Sequence, residues 1–185
     1  MKIGLFGGAF NPVHNGHMAV ARAALKEFCL DKLIFIPTGN APHKKETTIS
    51  RKDRLNMLLL ATKGEEKMCV SDYELMQNKV CHSADTTEYF KSLYKEDELF
   101  FIIGDDSYTA LDTWYEPERI LKACTLLVFP RNGADVTLPA VSVPMEKIEV
   151  SSSDIREKIK MGKDCTNVLP KEVFNYIIKK NLYVE

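Results

Sequence analysis

The chain has 185 residues, which predicts a single domain over residues 1–185 that is large enough to bury its own core. Its charge is nearly balanced, with 25 basic against 26 acidic residues, and this argues against a nucleic acid or a membrane surface as the main partner. The five cysteines contain no Cys-x-x-Cys pair, so we expect neither a disulfide framework nor a zinc site, as in a protein of the reducing cytoplasm. No apolar run approaches the ~18 residues of a membrane span, so we expect no membrane anchor.

Short apolar runs alternate with longer amphipathic stretches, which is typical of a parallel sheet with crossover helices. The runs predict strands at residues 2–6, 33–37, 68–72, 99–103, 126–129 and 147–150. The amphipathic stretches predict helices at residues 16–29, 51–62, 83–94 and 170–180, and residues 132–144 read as a surface loop. The predicted fold class is α/β, a Rossmann-like doubly wound parallel sheet in three α/β/α layers with a small C-terminal helical portion.

The first strand runs into a glycine turn and a helix start that carries two histidines, with residues 7–17 reading GGAFNPVHNGH. Glycines let main-chain N–H groups approach a phosphate, and a helix start adds unsatisfied donors and a partial positive charge. His14 and His17 project on nearly one face of the first helical turn and can donate to phosphate oxygens. Each feature alone also fits a structural turn or half of a zinc site, but together they indicate a site for nucleotide phosphate.

The fourth predicted strand is apolar throughout and ends at Gly104, Asp105 and Asp106. Such a strand is typical of the centre of a sheet that is covered on both faces. Ligands in open α/β sheets lie beyond the carboxyl ends of the strands where the strand order reverses, so the first and fourth strands are the predicted rims of the crevice. By spacing alone, a strand-end turn or a helix cap explains the two aspartates about as well as a ligand-binding role does.

Residues 151–156 read Ser-Ser-Ser-Asp-Ile-Arg and form a second candidate phosphate element. Hydroxyls and free N–H groups at a helix start, with a guanidinium one turn later, suit a polyphosphate. Taken alone, the segment is explained better as an ordinary capped helix, because Ser151 and Asp154 fit a relaxed capping pattern.

Together, the two segments resemble the (H/T)xGH and (I/V)SSTxIR motifs of the nucleotidyltransferase superfamily, with Ser153 in the place of threonine. Residues 37–44, 51–57, 100–106, 113–115 and 170–183 extend a resemblance to the bacterial nicotinate mononucleotide adenylyltransferases from Met1 to Tyr183. The resemblance implies that AMP is transferred from ATP to nicotinate mononucleotide, giving deamido-NAD and pyrophosphate in NAD biosynthesis. It also implies Mg²⁺ that arrives with ATP rather than in a dedicated protein site, and it leaves assembly into a homo-oligomer open.

The same resemblance implies roles for individual residues. His14, His17 and Arg156 would be catalytic, Trp114 would stack on the pyridine ring, and Thr86 would hold the pyridine carboxylate together with the main chain near Tyr115. The residues implied for ATP binding are Gly7, Gly8, Ala9, Phe10, His14, His17, Gly104, Asp106, Arg131, Ser151, Ser152, Ile155 and Arg156. The residues implied for binding the acceptor are His43, Lys44, Ser83, Asp85, Thr86, Trp114 and Tyr115.

The chain departs from the family pattern at two places. Ala9 and Asn11 stand where the family motif GGTFDP has threonine and aspartate, and the nicotinamide-preferring relatives also carry asparagine there. Residues 80–82, Val-Cys-His, replace Pro-Ser-Tyr beside the expected pyridine pocket. A carboxylate needs only donors whereas a carboxamide also needs an acceptor, so main-chain donors near Thr86 and Tyr115 would favour the acid and side-chain acceptors the amide. The alternatives are therefore nicotinamide mononucleotide as the acceptor, or a catalytically silent nucleotide-binding regulator.

Overall fold

The computed structural model describes residues 1–39, 49–131, 133–146 and 149–184. Its sheet has six parallel strands in the order β3-β2-β1-β4-β5-β6. The strands are β1 (Lys2–Gly8), β2 (Lys32–Pro37), β3 (Met68–Val70), β4 (Glu98–Gly104), β5 (Thr125–Phe129) and β6 (Val141–Ser142). The helices in the described part of the chain are α1 (Asn15–Glu27), α2 (Arg51–Ala61), α3 (Ser83–Leu93), α4 (Asp105–Thr109), α5 (Pro117–Ala123), α6 (Ser152–Lys160) and α7 (Lys171–Lys180), with a 3₁₀ turn at Leu111–Thr113.

Side chains alternate between the two faces of the central strands, and each face is covered by its own helices. Phe6, Phe35, Ile102 and Leu127 belong to one core cluster, which also takes buried residues from α1, α2, α6 and α7. The strand residues adjacent to these four face a second cluster, which takes buried residues from α3 and α5. Burial of both faces explains why these strands are almost continuously apolar. The predicted three-layer, doubly wound α/β class is confirmed.

The sixth strand is where the prediction of the sheet was wrong. Glu149 and Val150, the described part of the strand predicted at residues 147–150, lie outside any strand. The edge strand is instead β6, inside the segment predicted to be a loop. Two exposed residues at a sheet edge bury no side chains, so they leave no apolar run to recognise. The short helices α4 and α5 were not predicted either, because they are too short to show a helical period.

The strand order reverses between β1 and β4, which are hydrogen-bonded neighbours. From β1 the chain continues to β2 and β3 on one side, and from β4 it continues to β5 and β6 on the other. A crevice at such a reversal lies beyond the carboxyl ends of the strands. The glycine turn after β1 and the end of β4 therefore meet at one edge of the sheet. No helix in the described residues has the length and apolar character needed to cross a membrane.

Candidate active site

A cavity of about 840 Å³ lies at this edge of the sheet. Its walls come from the turn after β1, the start of α1, the end of β4, the segment before α3 and the start of α6. Of the residues that the sequence implied for binding, those lining the cavity are Gly7, Gly8, Ala9, Phe10, His14, His17, Ser83, Thr86, Gly104, Asp106, Trp114, Tyr115, Arg131, Ser151, Ser152 and Arg156.

Direct hydrogen bonds join the two candidate phosphate elements. Arg156 Nη1 donates to the main-chain carbonyl of Asn11 at 2.8 Å, and Ser152 Oγ donates to the carbonyl of Pro12 at 2.9 Å. The C-terminal segment adds a third link, because the Tyr183 hydroxyl donates to Asn11 Oδ1 at 2.6 Å within the protein interior. The start of α6 therefore packs directly against the glycine and histidine segment, as the paired motifs predict.

His14 and His17 cap the N-terminus of α1 reciprocally. The main-chain N–H of His17 donates to His14 Nδ1 at 3.4 Å, and that of His14 donates to His17 Nδ1 at 3.2 Å. A ring nitrogen that accepts carries no proton, so the proton of each neutral imidazole lies on Nε2. The two rings stack with their centroids 3.7 Å apart. The cap thus leaves each histidine an Nε2–H donor for a ligand in the cavity.

Both histidines are held in the neutral form. Burial lowers the pKa of His14 to about 4, and the positive charge of Arg131 acts in the same direction. The pKa of His17 also lies well below its usual value, because of burial and then of the nearby His14 and Arg131. At neutral pH the imidazoles are therefore hydrogen-bond donors without charge. Arg131 and Arg156 supply positive charge to the cavity.

Phe10 supports the histidine pair from the core. It has a φ of 44°, a left-handed conformation that bulky residues rarely adopt. Its buried ring makes an edge contact with the His17 ring, at 5.0 Å between centroids, and another with Phe35. Backbone strain of this kind persists where the surrounding packing demands it, and it is frequent at functional sites. Phe10 thus borders the cavity while its side chain packs against His17.

Gly104 ends β4 at the opposite rim. A Cβ at this position would collide with the carboxylate of Asp106 and crowd the Arg131 side chain. These two side chains form an ion pair at 3.1 Å and both line the cavity. The neighbouring Asp105 turns away instead, because its carboxylate is 1% exposed and accepts from the main chain of residues 133 and 134. Asp106 therefore lines the cavity, whereas Asp105 is buried and holds the main chain of residues 133 and 134.

Two residues implied for binding lie away from the cavity. Ile155 is 1% exposed in the core beneath α6, and its main-chain N–H is engaged by the carbonyl of Ser151. Asp85 pairs with Arg119 of α5 at 3.1 Å, since α3 and α5 pack side by side. Neither side chain is among those that line the cavity. His43 and Lys44 lie outside the described residues.

The end of the cavity near α3 carries the residues implied for the acceptor. Thr86 is 2% exposed, and its hydroxyl lies 2.8 Å from Glu74 Oε1. The rings of His82 and Tyr115 stack with 4.3 Å between centroids, and Trp114, the neighbour of Tyr115 in the chain, also lines the cavity. Glu74 was not predicted from the sequence, because a glutamate in a turn ordinarily has an exposed side chain.

Glu74 is a buried carboxylate held by two hydrogen bonds. Its Oε2 accepts from the main-chain N–H of Gly39 at 3.1 Å, and its Oε1 contacts Thr86. Burial raises the pKa of Glu74, while these hydrogen bonds and the charge of Arg54 oppose that rise. Arg54 is itself 3% exposed and donates to the carbonyls of Ala9 and Thr38. The buried carboxyl of Glu74 and the buried guanidinium of Arg54 therefore lie close enough to interact electrostatically.

Comparisons with known proteins match nearly the whole chain. The family model described as cytidylyltransferase-like matches residues 5–158. A protein of Carboxydothermus hydrogenoformans named "probable nicotinate-nucleotide adenylyltransferase" is 40% identical over 196 residues, covering 98% of each chain. A protein of Clostridium tetani with the same name is 36% identical over 197 residues, again covering 98% of each chain.

Solved structures share the fold. The nicotinic acid mononucleotide adenylyltransferase of Plasmodium falciparum complexed with NaAD has a TM-score of 0.84 at 19% identity, covering 98% of this chain and 97% of that one. The same enzyme complexed with APC has a TM-score of 0.82, also at 19% identity, covering 98% of this chain and 96% of the other.

Proposed function

The chain belongs to the cytidylyltransferase-like family and, within it, to the nicotinate-nucleotide adenylyltransferases; we propose that it transfers AMP from ATP to nicotinate mononucleotide, giving deamido-NAD and pyrophosphate. The observation that carries this proposal is the junction of the two phosphate elements. Arg156 and Ser152 bind the main chain of residues 11 and 12, so the histidine pair and the arginine line one cavity. A cavity with donors on both sides suits a polyphosphate.

The proposed reaction needs no nucleophile from the protein, because the acceptor's phosphate supplies one, and it depends mainly on how the two substrates are positioned. A phosphate oxygen of the acceptor attacks the α-phosphorus of ATP, a new oxygen–phosphorus bond forms, and the bond to the β-phosphate oxygen breaks so that pyrophosphate leaves. The Nε2–H groups of His14 and His17 would donate to oxygens that gain charge in this step, and Arg156 would add a fixed positive charge. Donors that are already oriented need no rearrangement at the moment of reaction, which makes them effective.

We expect Mg²⁺ to arrive with the triphosphate. In the described part of the chain, no group of three or more His, Cys, Asp or Glu side chains is placed to hold a metal ion. Asp106, a carboxylate on the cavity wall, is paired with Arg131. This donor set fits an ion that keeps its phosphate and water ligands, as Mg²⁺ commonly does. When bound, the ion would offset negative charge on the phosphates.

The acceptor's ring would lie at the end of the cavity near α3. Trp114 offers an aromatic face, and an electron-poor pyridine ring stacks well on an electron-rich indole. Thr86 would face the group on the ring that distinguishes the acid from the amide. The contact of Thr86 with Glu74 places a side-chain acceptor there, and this observation favours nicotinamide mononucleotide as the second candidate acceptor.

The test is release of pyrophosphate by the purified protein with ATP and Mg²⁺. Nicotinate mononucleotide and nicotinamide mononucleotide are supplied in turn, and the dinucleotide products are identified. We expect the higher kcat/KM with the acid. Higher turnover of the amide would reverse the substrate assignment, and ATP binding without pyrophosphate release would indicate the silent regulator instead.

A further inference from the structure

Tyr183, in the segment that follows α7, belongs to the core cluster that α6 and α7 also contribute to. It is 8% exposed, whereas Asn181 and Val184 lie at the surface. Its main chain has a φ of 67°, a left-handed conformation that bulky residues rarely adopt. Such a conformation persists where the surrounding contacts hold the residue in place. The contacts of the Tyr183 side chain therefore need to be strong enough to outweigh this strain.

The hydroxyl of Tyr183 forms a buried hydrogen bond with a residue of the cavity wall. It donates to Asn11 Oδ1 at 2.6 Å, although the two residues are 172 positions apart in the chain. Burial raises the pKa of Tyr183, so the hydroxyl keeps its proton at neutral pH and acts as the donor. Asn11 is 7% exposed and lines the cavity. An uncharged hydrogen bond thus joins the segment after α7 to the candidate active site.

The main chain around Asn11 is held by cations from two helices. Arg156 of α6 donates to the carbonyl of Asn11, and Arg54 of α2 donates to the carbonyl of Ala9. Both cations are close enough to act electrostatically on the Tyr183 hydroxyl. Tyr183 therefore adds a contact with the side chain of Asn11 at a place where two arginines already hold the main chain.

The position of Asn11 bears on the histidine pair because the two are close in the chain. His14 follows three residues later and caps α1 together with His17. The intervening Val13 is fully buried, so close packing leaves the segment little room to adjust. A misplacement of about 1 Å in a catalytic site can cost about 10² in rate. We therefore expect a change at Asn11 to reach the Nε2–H donors of the histidines.

We propose that Tyr183 is a positioning residue for the transfer of AMP: by holding the side chain of Asn11, it fixes the segment that carries His14 and the reciprocal cap. The inference rests on the proposed function, which assigns the histidine donors to the reacting phosphates. Tyr183 is not among the residues that line the cavity, so it acts through Asn11 and not on the substrate. Its loss should therefore change the rate of the reaction more than the affinity for the substrates.

The test is Tyr183→Phe, which removes the hydroxyl and keeps the ring. We expect kcat to fall by about fivefold, with the KM of each substrate within about twofold of the wild-type value. Tyr176→Phe is the matched control, because it also removes a tyrosine hydroxyl from this part of the chain. The Tyr176 hydroxyl donates to Asp53 and accepts from Asn56, both on α2. This variant should keep kcat within about 1.5-fold of the wild type.

Two further readouts separate positioning from a purely structural role. The main-chain N–H groups of His14 and His17, which close the cap, should exchange with solvent at least about fivefold faster in Tyr183→Phe. In Tyr176→Phe they should exchange at the wild-type rate, whereas a general loss of stability would speed exchange in both variants. In an Asn11→Ala background, Tyr183→Phe should change kcat by less than about twofold, because Tyr183 acts through Asn11.

An unchanged kcat, or unchanged exchange of the cap, in a folded Tyr183→Phe protein overturns the inference and leaves the proposed function intact. An equal loss of kcat in Tyr176→Phe overturns it as well. If Tyr183→Phe does not fold, Asn11→Ala decides, since it removes the same hydrogen bond from the other side, and a wild-type kcat there overturns the inference. A wild-type protein that turns over neither mononucleotide overturns the proposed function, while the exchange rates still report whether Tyr183 holds the histidine cap.

Discussion

Arg156 Nη1 lies 2.8 Å from the main-chain carbonyl oxygen of Asn11, a residue 145 positions earlier in the chain. Its Nη2 contacts Ser153 Oγ at 3.1 Å, so the guanidinium is held by its own helix and by the glycine and histidine segment. An arginine anchored in this way loses little freedom when it binds a phosphate. The Arg156 guanidinium therefore connects the glycine and histidine segment with the start of α6.

Arg156→Lys keeps the positive charge but cannot make both anchoring contacts. We expect kcat/KM for pyrophosphate release to fall by about 10² because a preorganised donor is lost. Lys158→Ala, an exposed residue on the same helix, is the control and should keep at least half of the wild-type value. Near-normal activity in Arg156→Lys would mean that charge alone suffices at this position.

His17→Ala removes one Nε2–H donor and one half of the reciprocal cap. We expect turnover to fall by about 10² to 10³. Loss of the cap and of the contact with Phe10 should lower the free energy of unfolding by about 1–2 kcal/mol, which urea denaturation can measure. A protein that unfolds outright would show that His17 is chiefly structural.

The histidine pair also predicts a pH dependence of stability. The pKa of His14 in the folded protein, about 4, lies below its ordinary value of 6.5, so as pH falls the unfolded chain takes up the proton first. Stability is therefore unaffected by His14 above about pH 6.5 and declines from there towards pH 4, and His17 adds in the same direction. Unfolding free energies measured across this range should show the decline.

His14→Asn provides the comparison for that decline, because asparagine still caps a helix but does not titrate. Its stability should fall less steeply between about pH 6.5 and 4 than that of the wild type. Identical slopes in the two proteins would show that His14 is not buried in its neutral form.

Trp114→Ala tests the stacking role. We expect the KM for the mononucleotide to rise by about tenfold while the KM for ATP is unchanged, because the proposed role of the indole is to stack on the pyridine ring of the acceptor. Trp114→Phe retains an aromatic face and should lie within about threefold of the wild type. If Trp114→Ala leaves the acceptor KM unchanged, the ring binds elsewhere.

The features that could be predicted from the sequence carry local signals. The glycine turn, the histidine pair and the serine-arginine segment are each contiguous, and the central strands are apolar because helices cover both of their faces. Such patterns depend on near neighbours in the chain. Together with the resemblance to a known family, they were sufficient for the α/β class and for the convergence of the two phosphate elements.

The features that were missed depend on distant parts of the chain. Asp85 is 34 residues from Arg119, and only the packing of α3 against α5 brings the two together and takes Asp85 from the cavity. Glu74 is buried because Gly39 and Thr86 meet it from two other elements. No period or motif marks either arrangement in the sequence.

The most direct test of the account is an experimental structure with deamido-NAD bound. We predict that the pyrophosphate bridge lies between the histidine pair and Arg156, with its oxygens within about 3.2 Å of Nε2 of His17 and of the guanidinium nitrogens. A pyrophosphate bound outside this cavity, or one in contact with only one of the two segments, would contradict it.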